Sequence, residues 1–558
     1  MEHFVNQINA AEPVSVSELR SLQGQALEDA LGTIERVQFA CYIDENSDHL
    51  KLFKSLKQLE VFHLPQKELA TVLSHLRDIT LHWRNHGIPD WGIEGLIIRE
   101  CQSSTEISNT LCSLFSDSIL KNITTFHWIT RHKDKASELG DKNWIRLCDA
   151  IRTVPCPHLV SLCIPNNNIG EKGCKEFVRL CFDNKCAGIK ELDFSGNRIG
   201  NNGVIELFRA IQIVNLSHQM EYLNIEDNGI GSRGIRLSYN YLKLCDFHNL
   251  ITLRIGHNAI GKKSLEMFCD VLTYHPLPKL RCFDMSDIKI GDEGMTGLVA
   301  LLRSSITPVL EELIFRGCGL GEKELNHLSY AIQDGFCPTL RILDLSDNGM
   351  KTKGIIAIRR MLCKTYLPCL EVLDLSDNRL GDSGITELGN ASDLKCLSQI
   401  KILYLCRNQI SDEGASCIYL YIRNKLWSNL EQLFLDDNNF SKISLVHLRS
   451  LVEMSNHLHC IYLNEMSKKR DTLVHSEQPM NRLPSRVHSD DNGNEITDEE
   501  CLREIFGPST EMIIPPCTLK RTSDEKDSSW SPVIAKMTPM SDSIGLGVDN
   551  EVYSSPIA

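Results

Sequence analysis

Eleven positions in this sequence fall on a nearly fixed step, and that step limits the fold more than any other feature. Leu159, Ile189, Met220, Leu250, Leu280, Leu310, Leu340, Leu370, Ile400, Leu430 and Leu458 open the same pattern, 28 to 31 residues apart and mostly 30. Such a period marks a chain that stacks one small unit on the next rather than folding around a single closed core. Each unit begins like Leu370-x-x-Leu373-x-Leu375, followed by Asn378, Leu380-Gly381 and Gly384. The alternation Leu373-x-Leu375 places both leucines on one face of a strand. An apolar helical stripe follows. Val204, Leu207, Phe208 and Ile211 lie at i, i+3, i+4 and i+7, as do Met295, Leu298, Val299 and Leu302, and Ala415, Ile418, Tyr419 and Ile422. One strand and one helix cannot close a core alone, but stacked units can, and the wider helical side bends the stack. The pattern predicts a right-handed α/β horseshoe solenoid, with parallel strands on the concave face and helices on the convex face.

Two further strings refine this. Ile169-Gly170-x-x-Gly173, Ile199-Gly200-x-x-Gly203, Ile230-Gly231-x-x-Gly234 and Ile290-Gly291-x-x-Gly294 follow the strand motif, and LDLSDN occurs at 343–348 and 373–378. Together they resemble the ribonuclease-inhibitor-like subclass of leucine-rich repeats, which includes ribonuclease inhibitor, the sensor ends of NOD-like receptors and Ran GTPase-activating proteins. The resemblance spans residues 156–465. It implies that Asn167, Asn197, Asn228, Asn258, Asn348, Asn378, Asn408 and Asn438 form a structural ladder, each amide bonding backbone groups of its own turn and of the neighbouring unit. Ile288 and Cys318 stand in two Asn positions; cysteine is an accepted substitute there, whereas isoleucine cannot make the bond. Ser264, Glu324 and Ser444 replace a second glycine and Lys351 a first one. The ladder is expected to be weaker near 288–324.

Residues 1–155 carry strand-like triplets without the Asn: Leu56-x-x-Leu59-x-Val61, Leu76-x-x-Ile79-x-Leu81 and Ile123-x-x-Phe126-x-Trp128. Helical runs are expected between them, at 66–76 and 105–120. These read as degenerate repeats capping the regular array of 156–466. From 467 to 558 periodicity ends and Ser, Pro and charge dominate, as expected of a disordered tail. Ser531, Thr538 and Ser555 each precede proline and are candidate phosphosites. A Thr-x-x-Glu box opens a short helix expected at 497–506.

The formal charge is −14, from 59 Lys and Arg against 73 Asp and Glu. That balance disfavours nucleic acid and anionic membranes as ligands. No apolar run is long enough to span a bilayer, and the first residues lack the basic and apolar blocks of a secretory leader. The 22 cysteines include no CxxC pair, and several fall on the helical stripes, as at Cys174 and Cys181. They read as reduced, buried thiols in a cytoplasmic or nuclear protein.

No catalytic constellation stands out, so the chain reads as a non-enzyme without cofactor or metal. Gly256-x-x-x-x-Gly261-Lys262 imitates a P-loop, but Lys263 occupies the magnesium-binding hydroxyl position and the repeat already uses these residues. His82 and His86 have metal-like spacing without a third ligand. The concave positions are a stronger signal. Glu191, Asp193, Glu226, Asp227, Asp284, Asp287, Glu312, Asp344, Asp347, Asp374, Asp377, Asp436, Asp437 and Glu465 face only Arg254, Arg316 and Arg407. Stacked in adjacent strands, these charges would add and draw a basic protein partner. Tyr404, Phe434 and Tyr462 share one place in the last three units and would stack into an apolar strip beside the acid, the composition of a contact hot spot. The residues expected to bind are Asp284, Asp287, Asp344, Asp347, Asp374, Asp377, Tyr404, Phe434, Asp436, Asp437 and Tyr462. Two alternatives remain. One is a GTPase-activating protein of the Ran type, although such proteins end in a dense acidic tail and this tail carries Lys468-Lys469-Arg470. The other is a ubiquitin-ligase adaptor, because 64–76 resembles the start of an F-box.

Overall fold

The computed structural model of the chain describes residues 56–463 apart from 89–91, 133, 154–157, 184–185, 305–306, 390–396 and 455–456, together with 14–15, 36–39, 488–489 and 495–496. The chain forms two units, residues 1–466 and 467–558. In the first, sixteen strands make one sheet in strict chain order. Every neighbouring pair described is parallel, from Val14–Ser15 beside Arg36–Phe39 to Gln432–Phe434 beside Cys460–Tyr462. A helix returns the chain between most strands. This is the open leucine-rich-repeat solenoid that the period demands.

The regular strands are three residues long. Ile342–Asp344, Val372–Asp374 and Ile402–Tyr404 are typical, and their registers pair Leu343 with Leu373 and Leu373 with Leu403. Because side chains alternate along a strand, the middle leucine points to the helices and the outer two residues face the groove. The inward residues join the helical stripes in one buried core running from Leu56 to Leu458. Each leucine so buried is worth about 1.5–3 kcal/mol. Cys174 and Cys181 belong to this core, and burial pushes the Cys174 thiol up to about 12.

The asparagines hold the turns. The Asn378 amide donates to the carbonyls of Leu345, Leu375 and Ser376 at 2.8, 3.0 and 3.1 Å. Its oxygen accepts the N–H groups of Asn348 and Met350 at 3.1 and 3.3 Å. One side chain thus pairs five backbone groups from two units. Asn197, Asn408 and Asn438 do the same for their neighbours. Ile288 is fully buried and offers neither donor nor acceptor, so the amides of Asn258 and Ile260 receive nothing from it. Cys318 substitutes in part: its thiol donates to the Met285 carbonyl at 3.1 Å.

The N-terminal units depart from the sequence expectation. Strands Gln58–Phe62 and Thr125–Ile129 form where two of the triplets lie. The third triplet, Leu76 to Leu81, is helical instead, inside Gln66–Asn85. Leu69, Val72, Leu73, Leu76 and Ile79 recur at helical spacing and are all buried, and that longer stripe overrides the local alternation. The missing strand is Gly95–Arg99, whose apolar Leu96, Ile97 and Ile98 are not followed by the Asn that marks later units. The next helix, Thr105–Ser116, stops four residues before 120; Ser104 caps its start by accepting the Ile107 N–H at 3.2 Å.

In the second unit, His488–Ser489 pairs antiparallel with Glu495–Ile496. Asn492-Gly493 between them in sequence is a strong hairpin signal. The phosphosite candidates Ser531, Thr538 and Ser555, the 497–506 segment and Glu465 lie outside the described residues. No described helix is long and apolar enough to cross a membrane.

Candidate interaction surface on the concave face

Strand register turns single residues into columns. His127, Cys163, Asp193, Asn224, Arg254, Asp284, Ile314, Asp344, Asp374, Tyr404, Phe434 and Tyr462 follow one another along the groove floor. The chemistry of this column changes along its length.

In the first half, polar groups are spent on one another. Arg99 Nε donates to Glu60 at 2.6 Å. The Ser161 hydroxyl donates to Glu191 Oε2 at 2.6 Å and lies 2.8 Å from His127 Nε2. The imidazole must therefore carry its proton on Nε2 and donate to the serine. A serine that accepts from histidine is the reverse of an activated nucleophile, whose proton goes to the imidazole. Burial and the Arg99 charge hold His127 down to about 4, so it is neutral at physiological pH.

The aspartates at the third position of their strands have a local task. Asp193 and Asp284 each accept both the backbone N–H and the hydroxyl of the serine two residues on, at 2.6 to 2.9 Å. Asp344 and Asp374 accept the corresponding N–H at 2.8 Å. Asp284 is only 5% exposed. Burial, with Asp344 beside it, pushes Asp374 up to about 7; burial also raises Asp193, Asp344 and Asp347. The groove therefore carries less charge at neutral pH than its formula suggests.

Other acids are already paired. Asp287 meets His257 Nδ1 at 2.7 Å, and that bond holds its carboxyl below the usual range. Asp377 takes Arg407 through Nε and Nη2 at 2.8 and 2.6 Å, with Asp437 3.8 Å from Nη1. Asp347 and Asp437 are exposed, and Asp436 is half-buried.

At the far end the column becomes aromatic. Tyr404 and Phe434 stack with centroids 4.3 Å apart and planes 18° from parallel; Phe434 and Tyr462 stack at 4.1 Å and 4°. Tyr462, on the last described strand of the sheet, is 43% exposed. Three rungs of parallel strand in register are what bring rings this close.

The structure thus brings Asp344, Asp374, Tyr404, Phe434 and Tyr462 into one line. It sets Asp287 and Asp377 into ion pairs and leaves the asparagines structural. The motif at 64–76 spends Leu69, Val72, Leu73 and Leu76 on the solenoid core. At the end of the same helix, His86 Nδ1 contacts the His82 carbonyl at 2.7 Å. No group of three metal-ligating side chains occurs among the described residues. The His127–Ser161–Glu191 chain and the surroundings of Arg254 escaped sequence reasoning. Strand register joins Ser161 to Glu191 and Asn224 to Arg254 at a step of 30, whereas the strand that carries His127 is offset by 36 and lies outside the repeat's period.

A leucine-rich-repeat family model matches residues 186–208, 336–358, 366–389 and 400–418. The ribonuclease inhibitor of Sus scrofa is 25% identical over 164 residues, 29% of this chain and 34% of the inhibitor. The NACHT, LRR and PYD domains-containing protein 5 of Bos taurus is 25% identical over 234 residues, 37% of this chain and 19% of its own. The matches therefore span about a third and a fifth of those relatives. An internalin from Listeria monocytogenes aligns over 83% of this chain and 98% of its own, at 12% identity and a TM-score of 0.30.

Proposed function

The chain is a leucine-rich-repeat protein whose repeats are like those of ribonuclease inhibitor, and from that premise we propose that it is a non-enzymatic scaffold or regulator holding a basic protein partner against the C-terminal half of its concave face. The observation that carries this reading is the junction of Asp344 and Asp374 with the Tyr404–Phe434–Tyr462 stack in one column. Stacked rings supply rigid apolar area at little entropic cost, and adjacent carboxyls select a cationic neighbour. In the first half of the groove, Glu60 and Glu191 are engaged by their own neighbours and have less to offer.

Affinity capture with the full chain tests this, run at low and high salt beside a variant carrying Asp344→Lys, Asp374→Lys and Asp436→Lys. A partner lost on charge reversal and at high salt supports the reading. A partner retained by the variant defeats it and moves attention to residues 1–155 or the tail.

A further inference from the structure

Midway along the groove two opposite charges stand near each other and do not pair. Arg254 lies in the floor column, in register with Asn224 on one side and Asp284 on the other. Its Nε is buried without a hydrogen-bond partner, and its guanidinium forms no ion pair with a described residue. Arg99 and Arg407, by contrast, each sit on a carboxylate at 2.6 Å. Glu226, only 9% exposed, has Arg254 and Asp284 in its electrostatic surroundings, yet no described residue donates to its carboxyl.

The place is built. A Cβ at Gly256 would come within 3.1 Å of Glu226 Oε1 and 2.9 Å of the Ser286 carbonyl, so the glycine leaves the room that this carboxyl uses. The neighbours that could close the gap are committed elsewhere. Asn224 accepts the Glu226 N–H at 3.0 Å and turns its amide nitrogen to Tyr222 and Asp193 at 3.3 and 3.4 Å. Asp284 Oδ1 holds Ser286, and His257 lies on Asp287. A guanidinium with unmet donors and a carboxyl with unmet acceptors are costly to bury, and a ligand carrying one acceptor and one donor would satisfy both. An anion is opposed by Asp193, Glu226 and Asp284, and a cation by Arg254.

We propose that Arg254 and Glu226 form a binding site for a carboxamide, an Asn or Gln side chain or a peptide group of a polypeptide in the groove, whose oxygen accepts from Arg254 and whose N–H donates to Glu226. The polypeptide nature of the ligand rests on the reading of the concave face as a protein-binding surface. A site of this kind is selective, because a group without an acceptor leaves the Arg254 donors unmet.

The test uses the full chain labelled with ¹⁵N-arginine, with the Arg254 Nε–H signal assigned by its loss in Arg254→Lys. N-methylacetamide, sodium acetate, methylammonium chloride and inorganic phosphate are titrated at matched ionic strength. The Arg254 signal should move saturably with N-methylacetamide and far less with the three ions. Glu226→Leu should weaken that response about tenfold. Gly256→Ala should abolish it while the other arginine signals, which report the fold, stay in place. A response to acetate or phosphate equal to that of the amide would overturn the proposal in favour of an anion site. No response to any probe would overturn it as well, leaving two buried structural charges. None of these readouts involves the partner. An amide response from a chain whose partner survives charge reversal would sink only the earlier reading, and the opposite pattern only this one.

Discussion

Asn378 and Ile288 occupy the same place in two units, three repeats apart, and the chain treats them differently. Asn378 pairs five backbone groups across two turns. Ile288 pairs none and fills the space with apolar volume. The sheet continues through both, with Cys282–Asp284 in register with its two neighbours. The lesson is that the ladder stabilises units singly. A solenoid sums nearest-neighbour terms, so one weak rung lowers local stability without breaking the array.

The difference can be broken or sharpened by substitution. The largest effect is expected from Asn378→Ala, which leaves several buried carbonyls and amides unpaired. It should cost about 4 kcal/mol in urea denaturation. If Asn378→Ile costs less than about 1 kcal/mol, every rung is replaceable by packing and the comparison fails.

Carboxyls on the two sides of the contrast should titrate with opposite sign. Asp374, held at about 7 against 3.8 unfolded, keeps its proton in the folded state until pH nears 7. Its contribution to stability is full at low pH and falls as pH rises from about 4 to 7. Asp374→Asn should therefore be more stable than the parent above pH 7, by about 1–2 kcal/mol after screening, with the gain gone below pH 4. Asp287, held low by His257, should show the reverse: Asp287→Asn loses stability above the unfolded carboxylate range, and the loss fades in acid. Thermal melts at several pH values check both, and parallel curves for the two variants would refute the assignment.

Ile288→Asn should restore a rung, slow hydrogen exchange at the Asn258 and Ile260 amides, and add about 1 kcal/mol if the amide fits. Faster exchange there would mean that the surroundings have repacked around the isoleucine for good. The smallest effect is at Lys351, which holds φ +55° where Gly291 and Gly381 hold +58° and +59°. Lys351→Gly should gain somewhat under about 1 kcal/mol by removing a left-handed strain. A loss would show that the lysine side chain compensates.

The repeat was legible because leucine and asparagine recur at positions where substitution is costly. The stacking of Tyr404, Phe434 and Tyr462 was legible for the same reason: equal repeat positions become neighbours on adjacent strands. Less was legible near the N-terminus. Leu76-x-x-Ile79-x-Leu81 fits strand spacing and helix spacing alike, and only the long stripe from Leu69 decides between them. Gly95–Arg99 carries no Asn to announce a turn. The groove charges were harder still. Composition counts Asp284 and Asp377 with Asp347, but one is folded onto Ser286, one onto Arg407, and one is exposed. Which acids remain available depends on partners 2 or 30 residues away, a choice made by geometry.

The register of the sheet also sets the grammar of anything lying along the groove. Neighbouring strands are about 4.8 Å apart, while a polyproline-II chain advances about 3.1 Å per residue and returns a side chain to the same face every three. Two strand steps therefore nearly equal three residues. A peptide running across the strands would fall out of phase with the next rung and return to it at every third residue, like a vernier against its scale. Its recognised side chains would be spaced by three, with the residues between them free to vary.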